Sequence, residues 1–254
     1  MVRRAVVAVM ATAAMLLVAA AFWLAQPFIA LPRTTPVHHP PVLAGQALWA
    51  ACSGGVYARR VEEIVLTSSG HCATEGTVAT DPDGSGVRGV FGPPARSAPC
   101  PHPDHTCAPS DINALTVALD RIPWGHLNEI DMGAGGYRII AAGTHALSCA
   151  EVTVGDAVEM SGRGIHRSGR VVEKGDNLKP PDHDGAYFPC MIAANIRVAT
   201  GDSGSVILVD GIPAGVASRS FLGYLGFTPL AEGLDALGLT MCDTPNCGLE
   251  PTDG

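Results

Sequence analysis

The chain has 254 residues, 47% of them hydrophobic and only 16% charged, which supplies enough apolar matter for a large core and excludes a disordered protein. Its formal charge of -8 excludes a nucleic-acid-binding surface, because neutralising phosphates takes clustered Lys and Arg that the sequence lacks. With 30 glycines, 20 prolines and few long apolar periodicities beyond the N-terminus, the composition predicts many short strands joined by turns, an all-β body rather than a helical bundle.

In chain order, Arg3 and Arg4 precede an uncharged run from Ala5 to Leu31. About 20 such residues cross a bilayer as a helix, so one N-terminal hydrophobic helix is predicted, and residues 1–31 read as a signal anchor or a signal peptide. The flanking positive charge keeps the N-terminus inside and sends the rest outward. The small residues Val18 to Ala21 offer a cleavage site, so the body is expected either at the cell membrane, held there by this segment, or secreted. Residues 32–42 form a Pro-rich, extended linker in which His38 and His39 are polar spacer residues. From Leu43 to the C-terminus no repeat or second linker appears, and 43–254 reads as one unit.

Eight cysteines fit an oxidising compartment. Connectivity stays open in sequence; local pairing favours Cys52–Cys72, Cys100–Cys107 and Cys242–Cys247, leaving Cys149 for Cys190. Cys100, His102, His105 and Cys107 in CPHPDHTC have the residue types of a tetrahedral zinc site. Their tight spacing and two prolines fit a disulfide-closed surface loop better, so no metal and no cofactor are expected. Arg163, Arg167 and Arg170 read as a solvated hairpin with one structural arginine.

Three segments carry chemistry. IVLTSSGHCA is an apolar strand, Ile64 to Leu66, running into a small-residue turn that presents His71, with Cys72 beside it to hold it rigidly as a general base requires. SDINALTVAL sets Asp111 ahead of an alternating strand, where a buried carboxylate needs a partner such as an imidazole N–H. TGDSGSVILV sets Gly201, Asp202, Ser203 and Gly204 before a buried strand, Val206 to Val209. Glycines on both sides let the backbone bend sharply and aim N–H groups inward while Ser203 projects.

Together these segments resemble the chymotrypsin-like serine peptidases, in which a histidine, an aspartate and a serine occur in this order: SSGHC, DINAL and GDSGS stand where that family has TAGHC, DIALL and GDSGG. The finer pattern is similar to the bacterial branch of α-lytic protease and the streptogrisins, through the Cys52–Cys72 bracket with CSGG at its start and the hairpin SGRGIHRSGR. The resemblance implies two antiparallel six-stranded β-barrels with the active site in the cleft between them and a short C-terminal helix. It implies a polypeptide substrate, with His71, Asp111 and Ser203 as triad and the N–H groups of Gly201 and Ser203 as oxyanion hole. Arg163 would pair with Asp202, a role that animal relatives give to an N-terminus freed by cleavage, so activity without such processing is expected. GVASRS resembles the strand lining the substrate cleft, which implicates Ser218, Arg219 and Ser220, and FTPLAEGLDALGL resembles the final turn and helix.

The sequence departs from the family where Ser205 replaces a glycine and where Arg197 stands near an expected cysteine. Arg197 and Arg219 are candidates for favouring an acidic substrate side chain. Two rival classes are a catalytically silent binding or scaffold module on the same fold and a metal-binding exported protein resting on His102 and His105.

Overall fold

The computed structural model describes residues 40–49, 52–81, 83–95, 106–175 and 186–249. The apolar segment 1–31, most of the linker, and Cys100, His102 and His105 lie outside the described residues. Among the described residues no helix is long and apolar enough to cross a membrane, and no His, Cys, Asp and Glu cluster could hold a metal ion.

Short runs rich in Val, Ile, Leu and Ala, broken by Gly-containing turns, form two six-stranded sheets. The first takes β1 (Tyr57–Arg60), β2 (Glu63–Ser68), β3 (Val78–Thr80), β4 (Val87–Phe91) and β5 (Asn113–Val117). The second takes β6 (Ala157–Gly162), β7 (Ile165–Gly175), β8 (Met191–Arg197), β9 (Val206–Val209), β10 (Ile212–Phe221) and β11 (Tyr224–Pro229). Helix α1 (Leu230–Leu237) and β12 (Thr240–Met241) end the chain.

The second sheet closes as a barrel in the order β6-β7-β8-β11-β10-β9, with β9 paired back to β6. Two-residue hairpin turns at Arg163–Gly164, Asp210–Gly211 and Leu222–Gly223 link its neighbours, each turn with positive φ at both residues, the geometry that matches strand twist. Its interior is filled by Val158, Met160, Ile192, Ile207, Leu225 and Phe227. The first sheet runs β12-β1-β2-β5-β4-β3 and, among the described residues, is not closed by hydrogen bonds. Its sixth strand is β12, from the far end of the chain, a contribution that the local pattern did not reveal.

Helix α1 follows the barrel but packs Leu230 and Leu234 into the core of the first sheet, beside Leu66, Ile112 and Leu115. It begins after Pro229 and ends at Gly238, whose left-handed backbone donates to Asp235 and Leu234. The helix and β12 thus tie the end of the chain to the half that holds its beginning. Val42 is buried, its N–H donates to the Arg121 carbonyl, and Arg121 Nε donates to the Pro40 carbonyl. Arg121 is held by Asp81, which also accepts from Arg88, a buried charge group with no signature in the sequence.

Three disulfides join Cys52 to Cys72 and Cys242 to Cys247, the local pairs, and Cys149 to Cys190, the pair left over. Cys107 is also disulfide-bonded, and its expected partner Cys100 lies outside the described residues.

Candidate active site

Strands β2 and β5 pair antiparallel, with Ser68 opposite Asn113 at the end of the ladder. The chain just beyond that pair therefore brings the turn Gly70–Cys72 face to face with Asp111. His71 Nδ1 lies 2.6 Å from Asp111 Oδ2, and the His71 backbone N–H donates to Asp111 Oδ1 at 3.1 Å. Asp111 accepts a third bond at 2.5 Å from the hydroxyl of Ser218, which comes from the barrel. With Nδ1–H given to the carboxylate, Nε2 is left as an acceptor, and the Ser203 hydroxyl stands 2.9 Å from it.

Burial alone would raise the Asp111 carboxyl, but the hydrogen bond and charge of His71, the Ser218 hydroxyl and the charge of Arg219 outweigh it and hold the group below its ordinary value. Asp111 is 5% exposed, whereas the His71 side chain is 34% exposed, so the carboxylate is walled off and the ring can meet a substrate. Asp111 is further fixed through its backbone N–H, which donates to Thr228 at 3.0 Å; Thr228 also accepts from Ser110. Nothing in the sequence pointed to Thr228, because its partner lies 117 residues away.

Ser203 sits in the loop between β8 and β9. Gly201 (φ 95) and Gly204 (φ 88) give that loop its bend. Gly204 lies so close to Ser53 and Ser68 that any Cβ would collide with the Ser53 carbonyl at 2.1 Å, which requires glycine there. Ser53 docks the loop on the first half: its N–H donates to the Ser203 carbonyl at 2.7 Å and its hydroxyl to the Gly201 carbonyl at 2.9 Å. In the sequence, CSGG marks only the start of the Cys52–Cys72 bracket, and nothing there assigns this role to Ser53. The N–H groups of Gly201 and Ser203 meet no acceptor among the described residues, and both lie on the loop that carries the Ser203 hydroxyl.

The expected Arg163–Asp202 pair is replaced. Asp202 pairs with Arg167 at 2.5 Å and also accepts from the Ala199 N–H at 2.7 Å, while Arg163 donates to the Thr200 carbonyl at 2.8 Å. The reason is strand geometry. Arg163 occupies the exposed turn of the β6–β7 hairpin, whereas Arg167 shares the inward face of β7 with Gly169 and Val171 at two-residue spacing. Counting back in twos from Val171 is the signal that would have chosen Arg167.

A cavity of about 470 Å³ opens beside Ser203, lined by Val198, Ala199, Thr200, Ala217, Arg219, Ser220 and Leu225 among others. Ser205 and Arg197 are not part of this wall. Ser205 is buried against Gly162, and Arg197 lies 4.2 Å over the Tyr224 ring. Of the two arginines considered for acidic substrates, only Arg219 borders the cleft.

No family model and no curated protein matches the chain. Solved structures do. It is similar to Thermobifida fusca protease A, with 19% identity over 80% of this chain and 98% of that one and a TM-score of 0.59. The chymotrypsin of Cellulomonas bogoriensis gives 21% identity over 81% and 100% of the two chains, with a TM-score of 0.57. Nocardiopsis protease gives 19% identity over 80% and 99%, with a TM-score of 0.57. The chain has the fold of the bacterial chymotrypsin-like serine proteases.

Proposed function

We propose that this chain is an extracytoplasmic serine endopeptidase that cleaves polypeptides through an acyl-enzyme. The observation that carries the reading is the continuous hydrogen-bonded line from buried Asp111 through both nitrogens of His71 to the Ser203 hydroxyl. A line of this kind spans two halves of the fold and uses residues 40 and 132 positions from His71. Packing alone gives no reason to assemble it.

In the proposed reaction His71 Nε2 takes the Ser203 hydroxyl proton as Oγ attacks the substrate carbonyl carbon. Asp111 holds the Nδ1–H tautomer and stabilises the imidazolium that forms. The N–H groups of Gly201 and Ser203 receive the developing oxyanion, each such donor contributing about 3 kcal/mol in sites of this type. His71 then gives the proton to the leaving amine, the C–N bond breaks, and an ester to Ser203 remains. Water, deprotonated by the same ring, hydrolyses the ester and restores the hydroxyl.

The substrate peptide is read as lying along Ser218, Arg219 and Ser220, with the side chain before the scissile bond in the cavity beside Ser203. The Arg167–Asp202 pair supports activity without a freed N-terminus, since it braces the nucleophile loop from within the barrel. The three disulfides support an oxidising, export-side location. Anchored or released, the body would stand on the same side of the membrane.

The test is reaction of the full, oxidised chain with a fluorophosphonate, with the labelled peptide located by mass. A single adduct on Ser203, absent in Ser203→Ala and strongly slowed in His71→Ala, is the expected result. A folded wild-type chain with its disulfides intact and no adduct would overturn the reading.

A further inference from the structure

The turn joining β10 to β11 carries an apolar side chain where neither backbone nor core calls for one. Leu222 holds a left-handed backbone (φ 52) ahead of Gly223 (φ 84), in a two-residue turn whose first position suits Asn, Asp or Gly; leucine is strained there. The same side chain is 96% exposed, so it adds nothing to the core. The turn is nevertheless fixed. The Val198 N–H donates to the Gly223 carbonyl at 3.1 Å, the Gly223 N–H donates to the Ser220 hydroxyl at 3.1 Å, and the Arg197 guanidinium lies 4.2 Å over the Tyr224 ring. Nor is Leu222 isolated. With Phe221, Tyr224 and Val172 it lines a cavity of about 640 Å³, and Val172 is the extra, outward residue of a bulge between β7 and β8. A strained apolar residue on a fixed turn, set in an exposed apolar cavity, marks a contact made outside the fold.

We propose that this cavity is a second substrate pocket, which takes a large apolar side chain at the third residue before the scissile bond. The inference rests on the peptidase reading. Ser220 lines both this cavity and the one beside Ser203, so the two follow one another along β10. Ala217 exchanges backbone bonds with Ser205 and Gly204, and beyond it the edge of β10 turned away from β11 pairs with no strand among the described residues. An extended peptide can lie along that edge. With its first residue in the cavity beside Ser203, its third side chain falls on the same face about 7 Å further along. That direction leads toward Leu222, because the other end of the run is Ser218, whose hydroxyl is given to Asp111. Continuity through Ser220 and a free backbone edge favour a substrate over a second copy or a membrane, neither of which would need that edge. Glu173 is the one charged residue lining the cavity among those described, and it disfavours an acidic side chain there.

The experiment uses the full chain and peptide substrates that share one scissile residue and carry Leu, Phe, Ala, Glu or Lys at the third position before the bond, with the same series at the second position. Wild type is expected to prefer Leu or Phe over Ala by about tenfold in kcat/KM at the third position, the size expected of an apolar side chain in a pocket open on one side, with Glu the poorest. Leu222→Asn suits the left-handed turn, so it should lower that ratio to about twofold with no loss of thermal stability. Val172→Thr, close in shape but polar, should lower it part of the way. A fluorophosphonate has no third residue, so labelling of Ser203 should keep its wild-type rate in both variants. No preference for Leu or Phe in wild type, an equal preference at the second position, a preference for Lys, or a ratio unchanged in Leu222→Asn overturns the proposal. So does loss of self-association, or of binding to phosphatidylcholine vesicles, in Leu222→Asn with the substrate ratios unchanged, since the face then belongs to a second copy or to a membrane. Labelling without apolar preference sinks this inference alone, whereas absent labelling sinks the peptidase reading beneath it.

Discussion

Replacing Arg167 by Gln should disable the nucleophile loop, while replacing Arg163 by Ala should not. The Asp202 carboxylate is buried, and its Oδ2 has two partners, the Arg167 guanidinium at 2.5 Å and the Ala199 N–H at 2.7 Å. Its Oδ1 is buried and meets no hydrogen-bond partner among the described residues, so the guanidinium is the principal compensation for a negative charge taken out of water. Removing one partner of a buried pair costs about 3 to 5 kcal/mol. The Arg167 side chain is 26% exposed, and discounting for solvent screening leaves about 2 to 4 kcal/mol. That penalty falls on residues 199–203, the segment holding Ser203 and both proposed oxyanion donors. Chemical denaturation should show the stability loss, and the rate of fluorophosphonate labelling should fall by about 30-fold or more, as 2 kcal/mol implies. Arg163→Ala removes a single exposed bond to the Thr200 carbonyl and should cost about 1 kcal/mol or less. Adding Asp202→Asn to Arg167→Gln should recover much of the lost stability, because the uncompensated charge is then gone. If Arg163→Ala proved the more damaging change, or if the Asn substitution restored nothing, the assignment of Arg167 as the brace would be refuted.

Ser218→Ala removes one of three bonds to the Asp111 carboxylate and leaves the two from His71, so kcat/KM should fall about tenfold with little change in thermal stability. Asp81→Asn should cost about 3 kcal/mol at neutral pH, because Arg88 and Arg121 lose the carboxylate between them. The Arg121 hydrogen bond holds Asp81 far below the ordinary carboxylate range, against the opposing effect of burial and with further help from Arg88. This contribution is therefore full above about pH 4, the unfolded value, and is lost as pH falls toward the folded one. Wild-type stability should drop steeply below pH 4, and the Asn variant, measured by denaturation across pH, should drop less. Val61 is a β-branched residue at φ 56 in an exposed hairpin turn, and Val61→Asn should raise stability by about 0.5 to 1 kcal/mol. A destabilised Asn variant would mean that the turn is not strained.

Much of the body was legible in the chain because its signals are local. The alternation in SDINALTVAL and the apolar run after GDSGS became β5 and β9. His71, Asp111 and Ser203 were each marked by small residues or a cysteine at a strand end, which is where a backbone can present a side chain. The pairing of Cys149 with Cys190, 41 residues apart, followed once the local pairs were taken.

Residues whose partners are set by register were not legible. Arg163 and Arg167 lie four positions apart in a basic hairpin, and only the face of β7 occupied by Val171 decides which one turns inward to Asp202. Thr228 meets Asp111 across 117 residues and Arg121 meets Asp81 across 40, and β12 completes a sheet begun almost two hundred positions earlier. The sequence by itself determined which side chains have the chemistry and in what order they come. The tertiary structure alone decided which of them share a hydrogen bond, because a strand's side chains alternate faces and a one-residue change of register exchanges every inward group for an outward one.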